Sequence, residues 1–177
     1  MPSEPKRRAL VLVEQAYEDL ELWYPKIRLE EAGVEVVVAG PQLTVFTGKH
    51  GYPCKPDRTF DQVRATDFDA LVIPGGWAPD RLRRSSAVLD MVREFDRAEK
   101  PIAMICHAGW VPISARILKG RKVTGVSAIK DDLENAGATF LDQPVVVDGH
   151  LISSRTPADL PEFCRALIAA LGAKVQV

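Results

Sequence analysis

PIAMICHAGWVPISA (residues 101–115) changes character in its middle. Pro101 to Ile105 is an unbroken apolar run, the pattern of a strand buried on both faces of a parallel sheet. From His107 onward the small and apolar residues read as a short helix. Cys106 falls on the turn between the two. A strand that feeds a helix through a tight turn is the geometry of a nucleophile elbow, which thrusts the turn side chain above the sheet edge. The same turn aims helix amino-terminal N–H groups at the sulfur, which would favour a thiolate over a thiol whose ordinary pKa is about 8.5. The competing reading is a cysteine that serves only as a small buried apolar residue.

Outward from this stretch the alternation of strand and helix repeats. RALVLVE (8–14) is a buried strand, and Leu20, Trp23, Tyr24 and Ile27 then fall at helical spacing until Gly33. Pro25 either kinks that helix or marks a late start. VEVVVAG (34–40) completes a βαβ unit. Residues 41–60 are an excursion rich in turn-formers with two short strands. DALVIPGG (69–76) is a third buried strand ending in a diglycine, followed by a helix through Val88, Met91, Val92 and Phe95 capped by Ser85 or Ser86. KVTG (122–125), FLDQPVVVDG (140–149) and HLISS (150–154) are further strands, the last two a hairpin turning at Asp148-Gly149. A closing helix has Thr156 as its cap, Pro157 at its first position and an apolar stripe through Leu160, Phe163, Cys164, Leu167 and Leu171. No repeat or linker divides the chain, so residues 1–177 read as one domain. The expected architecture is a mostly parallel sheet covered by helices on both faces.

Composition narrows the function. With 46% apolar residues and a formal net charge of −1, the chain carries no electrostatic footprint for nucleic acid or an anionic membrane. The basic cluster KRR (6–8) reads as a solvated end. Ala9 to Val13 is too short for a signal-peptide core or a membrane span, so a cytoplasmic location is expected. Cys54, Cys106 and Cys164 are an odd, sparse set, as in a reducing compartment. His50, His107 and His150 are scattered, and no metal-ligand spacing is present.

In parallel sheets ligands bind beyond the carboxyl ends of the strands, and three features collect there. Cys106 is one. Glu18, after the first strand, is the second; if that strand neighbours the Cys106 strand, a protonated Glu18 could donate a hydrogen bond to the sulfur. Its other reading is an acid at a helix amino terminus, which suits Asp19 and Glu21 better still. Gly75-Gly76 is the third, either an oxyanion hole of backbone amides or a plain turn. His107 is a candidate base or a helix-capping histidine, with Asp80 in PGGWAPDR (74–81) a candidate to orient it. Trp77 and Trp110 either wall the pocket or pack helices. Cys164 reads as core; Cys54, between prolines, stays open.

Together these stretches resemble the ThiJ/PfpI superfamily, its PfpI-type branch most closely. The resemblance runs from about Arg8 to Leu171 and rests on YEDLEL (17–22), TGKHGY (47–52), FDALVIPGG (68–76), ICH (105–107), AIKDD (128–132), NAGA (135–138), VVVDG (145–149) and SSRTPADL (153–160). It implies a flavodoxin-like three-layer α/β/α sandwich of the class I glutamine-amidotransferase-like kind. It implies a reactive, oxidation-prone Cys106 with Glu18 as protonated partner, His107 beside it, and the amides of Gly76 and His107 stabilising an anion. In peptidase-like members an acid matching Asp80 comes from a neighbouring subunit. Homo-oligomers are implied, dimers generally and hexamers in the PfpI-type branch. Three departures stand out: Asp80 is shorter than the family's glutamate, Ala108-Gly109 follows the histidine in place of Gly or Gly-Pro, and Val126 replaces a polar His or Tyr. These weigh against an efficient peptidase. The leading expectation is a cofactor-free glyoxalase- or deglycase-type stress hydrolase acting on small carbonyl compounds or modified protein side chains. A redox-responsive protein sensing oxidation at Cys106 and a Cys106-His107-Asp80 peptidase are the alternatives.

Overall fold

The computed structural model describes residues 5–173. In chain order, β1 (Arg8–Leu12), α1 (Asp19–Glu31) and β2 (Glu35–Gly40) form the first βαβ unit. The excursion supplies β3 (Phe46–Thr47), β4 (Pro53–Cys54) and β5 (Arg58–Thr59), and the main pattern resumes with β6 (Ala70–Ile73), α2 (Ala78–Leu82), α3 (Ser86–Arg97) and β7 (Ile102–Ile105). A 3-10 turn over Cys106–Gly109 leads into α4 (Trp110–Ala115), followed by β8 (Lys122–Val123), α5 (Lys130–Asn135) and β9 (Thr139–Phe140). The hairpin β10 (Val145–Asp148) and β11 (Leu151–Ser154) precedes α6 (Leu160–Ala170).

Seven strands make the central sheet in the order β10-β11-β7-β6-β1-β2-β5, parallel throughout except for the β10–β11 hairpin. Helices α1 and α6 pack on one face, and α2, α3 and α4 pack together on the other. This is the flavodoxin-like three-layer sandwich. The strand cores read as continuous apolar runs because both faces are covered: Ala9 to Val13, Ala70 to Ile73 and Ile102 to Ile105 are all essentially inaccessible to water. Each such Leu, Ile or Val side chain contributes about 1.5–3 kcal/mol on burial. The closing helix keeps its expected stripe, with Leu160, Phe163, Cys164, Leu167 and Leu171 buried. Thr156 heads a single 3-10 turn, Pro157–Asp159, ahead of α6.

The first helix differs from its expected orientation. Leu20, Tyr24 and Ile27 face solvent, and the buried stripe is Glu21, Leu22, Pro25 and Leu29. Pro25 sits inside the helix on that buried face. Among the described residues no helix is long and apolar enough to cross a membrane.

Strand order fixes the site. The chain winds from β1 outward to β2, then returns across β1 to begin β6 and winds the other way to β7. The carboxyl ends of β1 and β6 therefore bound the point where winding reverses, the crevice in which open α/β sheets bind ligands.

Candidate active site

The turn after β7 holds Cys106 at φ +62°, in the left-handed region that an ordinary side chain occupies only at a cost of about 1–3 kcal/mol. That backbone lifts the side chain off the strand end, as an elbow requires. The backbone amides of Gly76 and His107 lie at the sulfur and favour its anionic form. The helix beyond is short, a four-residue 3-10 turn and six α-helical residues, so these two local amides stabilise negative charge at the sulfur more than a long helix dipole could.

The carboxyl partner is Glu21, not Glu18. Both glutamates follow β1 and reach over β6 toward β7, so strand order alone does not separate them; what their carboxyls bind does. Glu18 caps α1, its Oε2 accepting the Glu21 amide at 2.9 Å. One turn further on, Glu21 points beneath the diglycine: its Oε1 accepts the Gly75 amide at 3.1 Å, and its carboxyl lies near enough to Cys106 for the two groups to influence each other's protonation. Glu21 is fully buried, and its Oε2 has no hydrogen-bond partner among the described residues. Burial first, and the Glu18 charge second, push the Glu21 carboxyl up to about 8, so it is mostly protonated at neutral pH.

Gly75 is also reassigned. Its amide serves Glu21 and its carbonyl accepts the Glu18 amide at 3.1 Å, so of the two glycines only Gly76 faces the sulfur as a donor. A side chain at Gly75 would collide with Glu21 Oε1, the Cys106 Cβ and the Ile105 carbonyl, which is why a glycine stands there. Tyr17 pairs with Gly76 in an isolated antiparallel bridge, tying the β1 loop to the β6 loop.

Burial works against the expected thiolate. Cys106 is only 7% exposed, and burial, then the Glu21 charge, push its thiol up to about 12, outweighing the His107 and Gly76 amides. The two groups titrate as a pair that resists holding two negative charges. On the other side of the sulfur, His107 Nδ1 lies at 3.3 Å. Desolvation lowers the His107 pKa, so the imidazole is neutral near pH 7 and can accept a proton.

Asp80 does not orient His107 within the chain. It faces solvent, with Oδ2 paired to Arg84 Nη2 at 2.9 Å. Aromatic rings flank the imidazole instead: the Trp77 and Trp110 ring centroids lie 5.2 and 5.0 Å from that of His107. The Val126 amide donates to the Cys106 carbonyl at 3.2 Å and steadies the elbow. Lys49 contributes a positive field that lowers the pKa values of Glu21, Cys106 and His107. Its backbone is held by the Tyr17 carbonyl at 2.8 Å. TGKHGY carried Lys49 in the sequence, but only its fold-back onto Tyr17 brings it to the site.

Glu18, Asp19 and His50 bring potential metal-ligand atoms within 4.8 Å of one another. Asp19, however, spends both oxygens on the His50 and Tyr52 amides, at 2.9 and 2.8 Å, and Glu18 is engaged as a cap. These carboxylates tie the excursion to α1. Cys54 and Cys164 are buried, and burial pushes both thiols up, to about 11 and 12.

With the geometry in place, similarity to known proteins can be weighed. Deglycase PfpI of Pyrococcus furiosus is 46% identical over 164 residues, 93% of this chain and 99% of that protein. A putative cysteine protease, YraA, of Bacillus subtilis is 42% identical over 163 residues, 90% of this chain and 95% of its own. In crystal form, a two-domain protein of Anabaena variabilis with DJ-1/ThiJ/PfpI-like and ferritin-like domains superimposes with a TM-score of 0.93 at 42% identity, over 95% of this chain. The chain spans about half, 49%, of that two-domain protein. The model of the DJ-1/PfpI family matches residues 7–170, and the chain belongs to that family.

Proposed function

We propose that the chain is a glyoxalase- and deglycase-type hydrolase that uses Cys106 as nucleophile on reactive carbonyls and their adducts with protein side chains. The observation that carries this reading is the sulfur held between two proton carriers of opposite habit. Glu21 is a buried acid that stays protonated near neutral pH, and His107 is a neutral base 3.3 Å away. Such a pair supplies and removes protons at one carbon without solvent.

With a 2-oxoaldehyde, the Cys106 S–C bond forms as the carbonyl π bond breaks. The thiol proton passes to His107 Nδ1 and the carbonyl oxygen takes the Glu21 proton, giving a hemithioacetal. The Glu21 carboxylate then removes the hydrogen from that carbon while His107 protonates the neighbouring oxygen, giving an enediol. Return of the Glu21 proton to the second carbon, while the hydroxyl proton at the first passes to His107 Nδ1, leaves a thioester. Water cleaves it: the C–S bond breaks, the sulfur recovers its proton, and a 2-hydroxy acid leaves. The balance is one water added. For a glycated amine, the C–N bond breaks as the C–S bond forms, and the amine leaves with the His107 proton. The Gly76 and His107 amides stabilise the oxyanion or thiolate in each passage. The deglycase name of the Pyrococcus relative supports this reading.

Peptide hydrolysis is the weaker reading, although the Bacillus relative is named a putative cysteine protease. Asp80, paired to Arg84, does not serve His107 within the chain, and a buried Cys106 suits a small electrophile better than a polypeptide. A redox role at the same sulfur has a specific support: two amides and a protonated carboxyl are the donors a sulfinate needs once peroxide has added two oxygens. A homo-oligomer is supported by the exposed Leu20, Tyr24 and Ile27 face of α1, and a reducing, cytoplasmic setting by the three unpaired cysteines. The deciding experiment is release of lactate from methylglyoxal. The reading predicts turnover by the wild type and none by Cys106→Ser; absence of lactate and of amine release from a methylglyoxal-treated peptide would overturn it.

A further inference from the structure

The open side of the site is built from indole. Trp110 is held firmly: its Nε1 donates to Asp132 Oδ2 at 3.0 Å, and the Arg83 guanidinium lies 5.6 Å over its ring. Arg83 is itself tied to Ser114 at 2.9 Å. On the other side of the imidazole stands Trp77, whose backbone is fixed by a 2.8 Å hydrogen bond from its amide to the Ala16 carbonyl. Its side chain is not covered: the residue is 57% exposed. The other large apolar residues that stand out in solvent lie on α1, the excursion and, for Val147, β10, whereas Trp77 packs beside the His107 imidazole of the site. It also directly follows Gly76, whose amide meets the sulfur. An indole attached one residue from an anion-stabilising amide, braced on one side by His107 and bare on the other, is a surface for a flat apolar group. The imidazole contact is tilted by 44°, so the indole is not engaged in a face-to-face stack there.

We propose that Trp77 is a specificity-determining residue that stacks on a planar, apolar substituent of the electrophile, so that the site selects aryl-substituted 2-oxoaldehydes over the methyl-substituted one. Trp110, locked by Asp132 and Arg83, acts as the fixed wall that keeps His107 and Trp77 in register. This inference rests on Cys106 being the nucleophile toward carbonyls. An aromatic contact of this kind is worth about threefold to tenfold in selectivity beyond the area it buries.

Two probe pairs test it. The first is kcat/KM for phenylglyoxal against methylglyoxal. The second needs no turnover: the rate at which N-benzyl iodoacetamide, against iodoacetamide, labels Cys106, followed by intact mass. The aryl-to-small ratio is expected to fall about threefold to tenfold in Trp77→Ala in both assays, with the change in turnover carried by KM, and to be largely restored in Trp77→Phe. A ratio unchanged in Trp77→Ala, or equal slowing of both probes, overturns the proposal. So does an unchanged ratio accompanied by a change of oligomeric state, which would make the indole an interface residue. If neither aldehyde turns over, the hydrolase reading fails, and the labelling ratio still decides the role of Trp77.

Discussion

Cys106 has two unlike flanks. Toward α1 and the diglycine everything is buried and specified by hydrogen bonds: Glu21 fully enclosed, Gly75 committed at both its amide and its carbonyl, Tyr17 bridged to Gly76. Toward α2 and α4 the wall is aromatic and open, with Trp77 exposed and Asp80 paired outward to Arg84. A buried polar flank is costly to disturb and sets protonation; an open apolar flank is cheap to change and sets access. On the function proposed above, the chemistry sits on one side of the sulfur and the choice of substrate on the other.

The sharpest way to break this contrast is Glu21→Gln. The amide keeps the shape and removes the proton carrier, so lactate formation should fall about 10²- to 10⁴-fold. The same change should stabilise the fold, and the sign follows from the raised carboxyl. An acid lifted from 4.5 to about 8 gives stability that is fully present below the unfolded value and is lost as pH rises through the folded one. Wild type and Glu21→Gln should thus differ little in their pH dependence below about pH 4.5 and diverge up to about pH 8, by a few kcal/mol at most, in denaturant titrations at stepped pH. Removing the Glu21 charge should also move the pH profile of Cys106 alkylation to lower pH. An active variant, or one whose stability shows no pH-dependent gain, would mean Glu21 is not the buried proton carrier.

His107→Gln comes next. It keeps a hydrogen-bonding group near the sulfur but loses a base that titrates, and turnover should fall about 10²-fold. The lowered imidazole pKa carries the sign: activity should depend on His107 through neutral pH and fade only on acidification below its ordinary value of 6.5. A wild-type activity that falls with an apparent pKa above 6.5, and loses that dependence in the variant, would contradict the neutral imidazole.

How much of this was legible beforehand divides along the same line. The strand–turn–helix pattern around Cys106, the diglycine after β6 and the βαβ rhythm are properties of short stretches, and they place the Cys106 turn and the sheet. What is not local is which of two nearby carboxyls is turned toward the site. Glu18 and Glu21 both follow β1; the helix start takes the Glu18 carboxyl as its cap, and the residue one helical turn on is the one turned toward the diglycine. A signal was present, since Leu22, Pro25 and Leu29 share the face of Glu21, but the apolar Leu20, Tyr24 and Ile27 on the opposite face masked it. The thiol followed a similar course: spacing supplies a helix amino terminus, while the desolvation that pushes the thiol up depends on what packs over it. Trp77 and Trp110 were readable as a pair near the site, though only the fold shows the imidazole between them.

A smaller effect separates the two glutamates. Glu18→Ala removes the α1 cap and should cost about 1 kcal/mol of stability while turnover stays within about threefold, because the Glu18 side chain acts on the site only through the helix start and through its charge, the lesser of the two causes that raise the Glu21 carboxyl. A loss of turnover as large as that of Glu21→Gln would restore Glu18 to the chemistry.

Asp80→Asn should do least. The Asp80–Arg84 pair spans i to i+4 on the exposed face of α2 and its extension, where such pairs contribute about 0.3–0.5 kcal/mol and are screened by salt. With no contact to His107 in its own chain, the carboxylate should leave lactate formation within about twofold, measured on the protein in whatever assembly it forms. Casein cleavage by the wild-type assembly that Asp80→Asn abolishes would reverse the contrast drawn above. The open flank would then supply an acid to a neighbour's imidazole, and it, not the buried flank alone, would belong to the chemistry.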